Sequence, residues 1–387
     1  MTINNEHKKL NVPNLRFKEF QGEWEKCRLG DVCTFLSGGT PKIDVKEYWN
    51  GTIPFVSAIS MHDTYILDSK LHISEEGLKH GSRLLTKNNL LLLVRGSMLW
   101  NTIPICLNKN DVAFNQDVKG IIANDTINNE FLLYWLKSKE QRLKYMVTGT
   151  GLGAGKLDTS DLLSMIVYIP AMKEQDKVAR LLSLFDERIA TQSKIIEDLK
   201  KLKSAISKKL LCNDKWTTYK IQDIAEIGRG RVISSVEIDR QKHPLYPVYS
   251  SQTSNNGIMG YLDNYMFDGE YITWTTDGAN AGTVFYRIGK FNCTNVCGTL
   301  KILPKFDCYF VSLVLQQATQ KYVSSNLANP KLMNNTMASI KIRMPNIETQ
   351  KQLSKVFQTL DSCLLVHQRT CKMYLSEKQY LLRQMFI

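Results

Sequence analysis

Met165-Ile-Val-Tyr-Ile-Pro170 returns 175 residues later as Ile340-Lys-Ile-Arg-Met-Pro345. The spacing continues forward without a gap, Gln175 meeting Gln350 and Asp186 meeting Asp361. Backward it runs through Lys156-Leu157 and Lys331-Leu332 to Tyr134 and Tyr309. Nearer the front it widens to 192, where Trp24, Leu29, Asp31 and Val32 face Trp216, Ile221, Asp223 and Ile224. The second copy is therefore 17 residues shorter, and the loss lies in its middle. Repeats of about 20 to 50 residues make solenoids. This much longer period reads as a duplicated domain.

Each copy has two parts. The first is mixed: Phe55-Val-Ser, Leu90 to Val94, Tyr271-Ile-Thr-Trp and Thr299-Leu-Lys-Ile-Leu are β-prone runs bounded by Gly, Asn and Asp. The second follows Pro170 and Pro345, where Gly and Pro disappear and Leu, Lys, Glu and Gln dominate. A proline just ahead of such a run suits a helix start. Val178, Leu182, Phe185, Ile189, Gln192, Ile196, Leu199, Lys203, Ile206 and Leu210 alternate by four and three. Their counterparts are Leu353, Phe357, Leu360, Leu364, His367, Cys371, Tyr374, Lys378, Leu381 and Met385. That spacing is the coiled-coil signature, and polar seam residues fix register. Two matched seams can bury each other, and Gln192 and His367 are then expected near polar partners. A helix of this length spans roughly 60 Å. The fold expected is α+β: two mixed domains, residues 1–169 and 213–344, separated by two long helices, 170–212 and 345–387, forming an antiparallel coiled coil with pseudo-twofold symmetry.

Composition narrows the function. The 387 residues are 43% hydrophobic and 22% charged, which excludes a mostly disordered or collagen-like chain. Fifty Lys and Arg against 37 Asp and Glu leave +13, a balance that suits a polyanion such as nucleic acid. Purely apolar runs such as Leu90 to Val94 fall far short of the roughly 18 residues a membrane span needs. Met1 to Asn11 is polar, with no signal-peptide core. Nine scattered cysteines fit reduced thiols in a cytoplasm better than a disulfide framework.

Signatures of catalysis are scarce. Thr150-Gly-Leu-Gly-Ala-Gly155-Lys156 departs from a phosphate-binding loop at Thr150 and at Leu157, where a magnesium-holding hydroxyl is required. There is no nucleophile elbow, no His-Glu-x-x-His helix, and no Asn/Asp-Pro-Pro-aromatic motif of amino-methyltransferases. Cys293 and Cys297 lack a second zinc-spaced pair and read as small buried residues.

Loops suited to DNA are plentiful. Glycine admits a backbone close to phosphate, hydroxyls and amides donate to it, Arg reads guanine, and Asn or Gln reads adenine. The candidates in the first copy are Ser37, Gly38, Gly39, Thr40, Lys42, Arg95, Ser97, Asn115, Gln116 and Lys156, the last closing the Gly149 to Lys156 loop. In the second they are Arg229, Arg231, Ser250, Ser251, Gln252, Asn255, Asn256, Thr276, Asp277, Asn295 and Lys331. Singly, each loop also reads as turn chemistry.

Taken together, these features resemble the specificity subunit of type I restriction-modification systems over essentially the whole chain. The resemblance rests on Pro13-Asn-Leu-Arg-Phe, Trp24-Glu-Lys-Cys-Arg-Leu-Gly-Asp-Val, Ser37-Gly-Gly-Thr-Pro41 and the Ile-x-x-x-Pro exit into Glu174-Gln175. It rests also on Tyr249-Ser-Ser-Gln, Gly257-Ile-Met-Gly-Tyr261 and Thr276-Asp-Gly-Ala-Asn-Ala-Gly282. It implies two target recognition domains, each reading half of a split double-stranded DNA sequence, and helices that set the half-site separation. It further implies docking of two methyltransferase subunits and two restriction/motor subunits. S-adenosylmethionine and ATP with magnesium would then bind those partners, leaving this chain without cofactor, metal or catalytic residue. Two rivals are a self-contained DNA methyltransferase or nuclease, and a coiled-coil scaffold with no DNA role.

Overall fold

The computed structural model describes residues 11–151, 153–211, 214–324 and 329–387. The polar opening through Leu10, and Leu152 of the candidate loop, lie outside them. Among the described residues no helix is long and apolar enough to cross a membrane.

The chain forms two compact units. One comprises residues 1–193 and 369–387, the other 194–368. Each long helix, Met172–Leu210 and Ile347–Gln384, is thus shared between them.

In the first unit, Cys33–Ser37, Val118–Ala123, Leu90–Leu93, Ile105–Asn108 and Tyr65–Ile66 form a five-stranded sheet in that order. The run Leu90–Leu93 is buried on both faces, which explains its unbroken apolar sequence. Phe131 to Leu136, within the helix Asn129–Ser138, seals the core behind it. A second sheet pairs Ile53–Val56 in parallel with Val112–Phe114. Glu25–Arg28 and Ile166–Ile169 pair antiparallel, tying the front of the unit to the strand that enters the long helix.

The second unit repeats this plan. Ala225–Arg229, Cys297–Ile302, Glu270–Thr275 and Val284–Ile288 form its main sheet, and Thr217–Lys220 pairs with Lys341–Met344. Its helix Cys308–Ala318 packs behind the sheet. The helix starts correspond closely. Asn128 caps Phe131 N–H and Asp307 caps Phe310 N–H, while the two phenylalanines stand edge-on to Trp24 and Trp216.

That correspondence corrects one sequence match. Phe131 and Phe310 are 179 residues apart, so Tyr134 and Tyr309 are not equivalent positions but lie one helical turn apart. They nevertheless reach matched carboxylates. Tyr134 Oη donates to Asp186 at 2.8 Å and Tyr309 Oη to Asp361 at 2.6 Å. Residues four apart share a helix face, so the one-turn difference is absorbed along it.

Within each unit two helix segments run antiparallel. In the first, Asp186 meets Lys378 and Ser193 meets Cys371, one number rising as the other falls. In the second, Lys203 meets Asp361 and Ile206 lies beside Leu360. Burial follows the four-three spacing. Val178, Leu182, Phe357 and Leu364 are buried, and Phe185, Ile189, Ile196, Leu199, Leu353, Leu360, Tyr374 and Leu381 are half-buried, as are Gln192 and His367. Phe185 and Tyr374 stack edge-on at 6.2 Å. Gln175 and Gln350 fasten the helix starts: each accepts from the backbone N–H of a helix cap, Asn128 or Asp307, and donates to the carbonyl of Pro170 or Pro345.

Candidate nucleic-acid interface

In both units the first strand of the main sheet ends in a loop that crosses tightly under a neighbouring strand. A Cβ on Gly38 would lie 2.2 Å from Phe114 O, and one on Gly230 would lie 2.0 Å from Cys293 O. Glycine is required there by this crossing of backbones. Gly39 N–H donates to Phe114 O at 3.0 Å, and Arg231 N–H donates to Cys293 O at 3.2 Å. The same crossing thus carries Gly-Gly in one copy and Gly-Arg in the other.

The crossing gathers polar side chains. Thr40 Oγ1 donates to Gln116 Oε1 at 2.7 Å, and Lys119 Nζ donates to Ser37 Oγ at 2.6 Å. Asn115 is turned inward on its own loop, its amide engaged with Asp117. Arg95, Gln116, Lys119 and Lys156 line one groove of about 270 Å3. Asp117 lies 3.9 Å from Arg95, and Asp158 lies 3.0 Å from Lys156. Lys42 and Ser97 are exposed on the flanks of these loops. Thr148–Gly149 and Gly155–Lys156 form a hairpin that adds to Arg95–Gly96. A phosphate-binding loop joins a strand to a helix, so the hairpin explains why that motif fails.

Backbone bonds align the two sites. Val94 N–H donates to Asp117 O and accepts, at its carbonyl, Leu157 N–H; Thr276 makes the same pair of bonds with Val296 O and Leu332 N–H. Arg95 therefore corresponds to Asp277, and Lys156 to Lys331. Lys156 faces Arg95 across the ladder, whereas Lys331 faces Asp277. Two cations stand opposed in the first unit. In the second, Asp277 lies 3.6 Å from Arg229 and 3.8 Å from Lys331. These pairs are partly exposed and contribute little stability, on the order of 1 kcal/mol or less. Their consequence is a different surface charge on one framework.

One candidate is corrected. Thr276 is fully buried, and its hydroxyl donates to Asp277 at 2.6 Å. It orients that carboxylate and cannot touch DNA. Arg231 is held in a two-bond fork by Glu237, one arm 2.9 Å long. Asn295 is exposed beside the crossing.

Ser250 to Gly257 forms the other exposed loop of the second unit. Asn255, Asn256 and Gly257 are consecutively left-handed, with φ of 48°, 53° and 82°. Each non-glycine there costs on the order of 1 kcal/mol and persists only where neighbours over-determine it. Ser250 N–H donates to Gly257 O at 2.9 Å, the Gln252 amide donates to Ile258 O, and Asn280 donates to Ser251 O at 3.4 Å. Beneath the loop lies Arg287, only 4% exposed. Its guanidinium carbon sits 3.5 Å from the Tyr249 ring centroid and 4.4 Å from that of Phe285. Burial pulls its pKa down to about 10, so it is charged at neutral pH. Cation–π contacts of about 2 kcal/mol each, when desolvated, offset part of the burial cost.

Comparison with known proteins decides the family. The family model of the type I restriction modification DNA specificity domain matches residues 21–201 and again 213–372.

The chain belongs to this family.

It carries the type I DNA specificity domain twice, and so recognises DNA by sequence. A putative type I specificity subunit of Mycoplasma pneumoniae is 38% identical over 193 residues, 49% of this chain and 80% of that one. Another from the same organism, described as an N-terminus, is 46% identical over 147 residues, 37% of this chain and 76% of that one. The crystal structure of a type I restriction-modification S subunit from M. genitalium superposes with a TM-score of 0.71, covering 97% of this chain and 99% of that one. At 19% identity that likeness concerns the fold alone.

Within the type I DNA specificity family's two-domain frame, sequence reasoning missed Lys119 and Arg287. Lys119 was legible as the first outward position of the strand that follows the candidates Asn115 and Gln116. Arg287 had no such signal, because its strand, Val-Phe-Tyr-Arg-Ile, reads as one with an outward-facing basic residue.

Proposed function

We propose that each unit reads one half of a two-part target in double-stranded DNA, and that the paired helices set the separation and dock methyltransferase subunits. The carrying observation is the duplicated loop crossing at Gly38 and Gly230, dressed with different charged and amide side chains. A common framework with unlike side chains suits two different half-sites. A fixed separation between them follows the logic of dimeric DNA readers. The chain is non-catalytic in this reading. S-adenosylmethionine, and ATP with magnesium, belong to methyltransferase and restriction/motor partners, two of each.

The reading is tested by mapping modified adenines in DNA from cells that express the chain with its methyltransferase. The expected result is one split sequence of two unlike halves. Replacing residues 213–344 with another family member's counterpart should then change one half only. A change in both halves, or methylation by this chain without any partner, overturns the reading.

A further inference from the structure

Arg287 occupies a position that the first unit fills differently. Leu92 pairs with Ile105 and Trp274 with Val284 in equivalent strands, so Arg287 corresponds to Asn108. Asn108 is fully buried and fully satisfied: its amide donates to the carbonyls of Leu85, Thr86 and Asn110, and its oxygen accepts from Asn89 N–H. Arg287 brings a charge to that place. Its Nε donates to Thr273 Oγ1 at 3.1 Å, and two aromatic rings flank it. Among the described residues no carboxylate is paired with it.

The far end of the side chain meets the strained loop. A Cβ on Gly257 would lie 3.1 Å from Arg287 Nη2 and 3.3 Å from Gln252 O. The guanidinium is thus a floor directly under the left-handed turn that lifts Asn255 and Asn256 into solvent. Carboxamides at such a tip suit the adenine edge, and an unneutralised cation beneath them attracts a flanking phosphate.

We propose that Arg287 is the positioning residue of the 250–257 loop and that it decides the base preference of one half of the target, that read by the second unit. This rests on the two-half reading above. Arg287 acts through the loop without touching bases. Lysine keeps the charge but lacks the flat group that fits between Tyr249 and Phe285. Arg287→Lys therefore separates loop geometry from charge.

The test uses the full chain assembled with its methyltransferase subunits and a random duplex library. Wild type is expected to enrich a two-part sequence. R287K should keep the enrichment of one half and lose at least about tenfold of the other, with amide exchange across 250–258 at least about tenfold faster. Should R287K fail to fold, Arg287→Met, which buries no charge, is read by the same criteria. Unchanged preference, unchanged loop exchange, or equal loss in both halves overturns the proposal and leaves the two-half reading standing. A wild-type chain that enriches no sequence overturns both.

Discussion

The Lys378 ammonium is ion-paired with the Asp186 carboxylate, although 192 residues separate them in sequence. Both side chains are largely buried, 9% and 14% exposed, and Tyr134 donates to the other carboxylate oxygen. Lys203 and Asp361 make the matching pair with Tyr309 in the second unit, but more openly, at 25% and 40%. Removing one partner of a buried pair costs about 3 kcal/mol or more, whereas an exposed pair contributes about 1 kcal/mol. Asp186→Asn should therefore destabilise its unit by about 3 kcal/mol and Asp361→Asn by about 1 kcal/mol. Amide exchange in Asn129–Ser138 and Cys308–Ala318, followed separately, measures the two effects. Equal losses would show that burial does not set the difference.

The loop crossings predict intolerance of a single methyl group. Gly38→Ala and Gly230→Ala each put a Cβ within 2.2 Å of a backbone carbonyl oxygen, so strands must move. A loss of about 2 kcal/mol or more is expected from each, read as a fall in Tm. Gly151→Ala, whose Cβ meets nothing within 4 Å, should leave Tm within about a degree of wild type.

Asp277 predicts a charge effect on DNA affinity. Asp277→Asn frees Arg229 and Lys331 from their shared carboxylate. Affinity of the assembled complex for random duplex should rise, and the slope of log K against log salt should steepen by about one. Arg95→Ala, which removes a cation from the groove of the first unit, should flatten that slope by about one. Fluorescence anisotropy between 50 and 200 mM salt, about the range where such slopes are resolved, checks both.

Lys137 predicts a pH dependence. It lines a cavity of about 250 Å3 with Lys378 and Glu140, and its ammonium donates to Thr64 Oγ1 at 2.7 Å. Burial first, then the neighbouring Lys378 charge, lowers its pKa to about 8. Below pH 8 the group is protonated whether the chain is folded or not, and the full cost of holding that charge is present. Above it the folded state releases the proton while the unfolded chain keeps it to about 10.4, so this contribution to stability rises with pH. Lys137→Met should therefore be more stable than wild type at pH 7 by on the order of 2 kcal/mol, and the gap should close toward pH 10. A gap that does not depend on pH would sink this account.

Much of the fold is legible in the sequence because two of its features are periodic. The proline exits at Pro170 and Pro345 mark where strands become helices, and the four-three spacing marks the buried face. Other features depend on contacts that no spacing carries. Tyr134 and Tyr309 align by number yet sit one helical turn apart, because only packing against Trp24 and Trp216 sets the register of those helices. Thr276 looks like a loop hydroxyl but is buried by the strands beside it. The candidate loops were visible as composition. Which cations oppose one another was not, since Arg95 and Lys156 meet through a ladder between residues 61 apart.

The sharing of the long helices has a consequence for how the chain is made. The unit that begins at the front needs residues 369–387, whereas the unit between them is contiguous. During synthesis the second unit can finish first, and the unit begun earliest closes only when the tail emerges from the ribosome. Until then Asp186 has no Lys378, and Tyr134 keeps its bonds to Tyr65 and Asp186 but lacks the Lys378 ammonium over its ring. A nonsense codon late in the reading frame would consequently injure the domain encoded first.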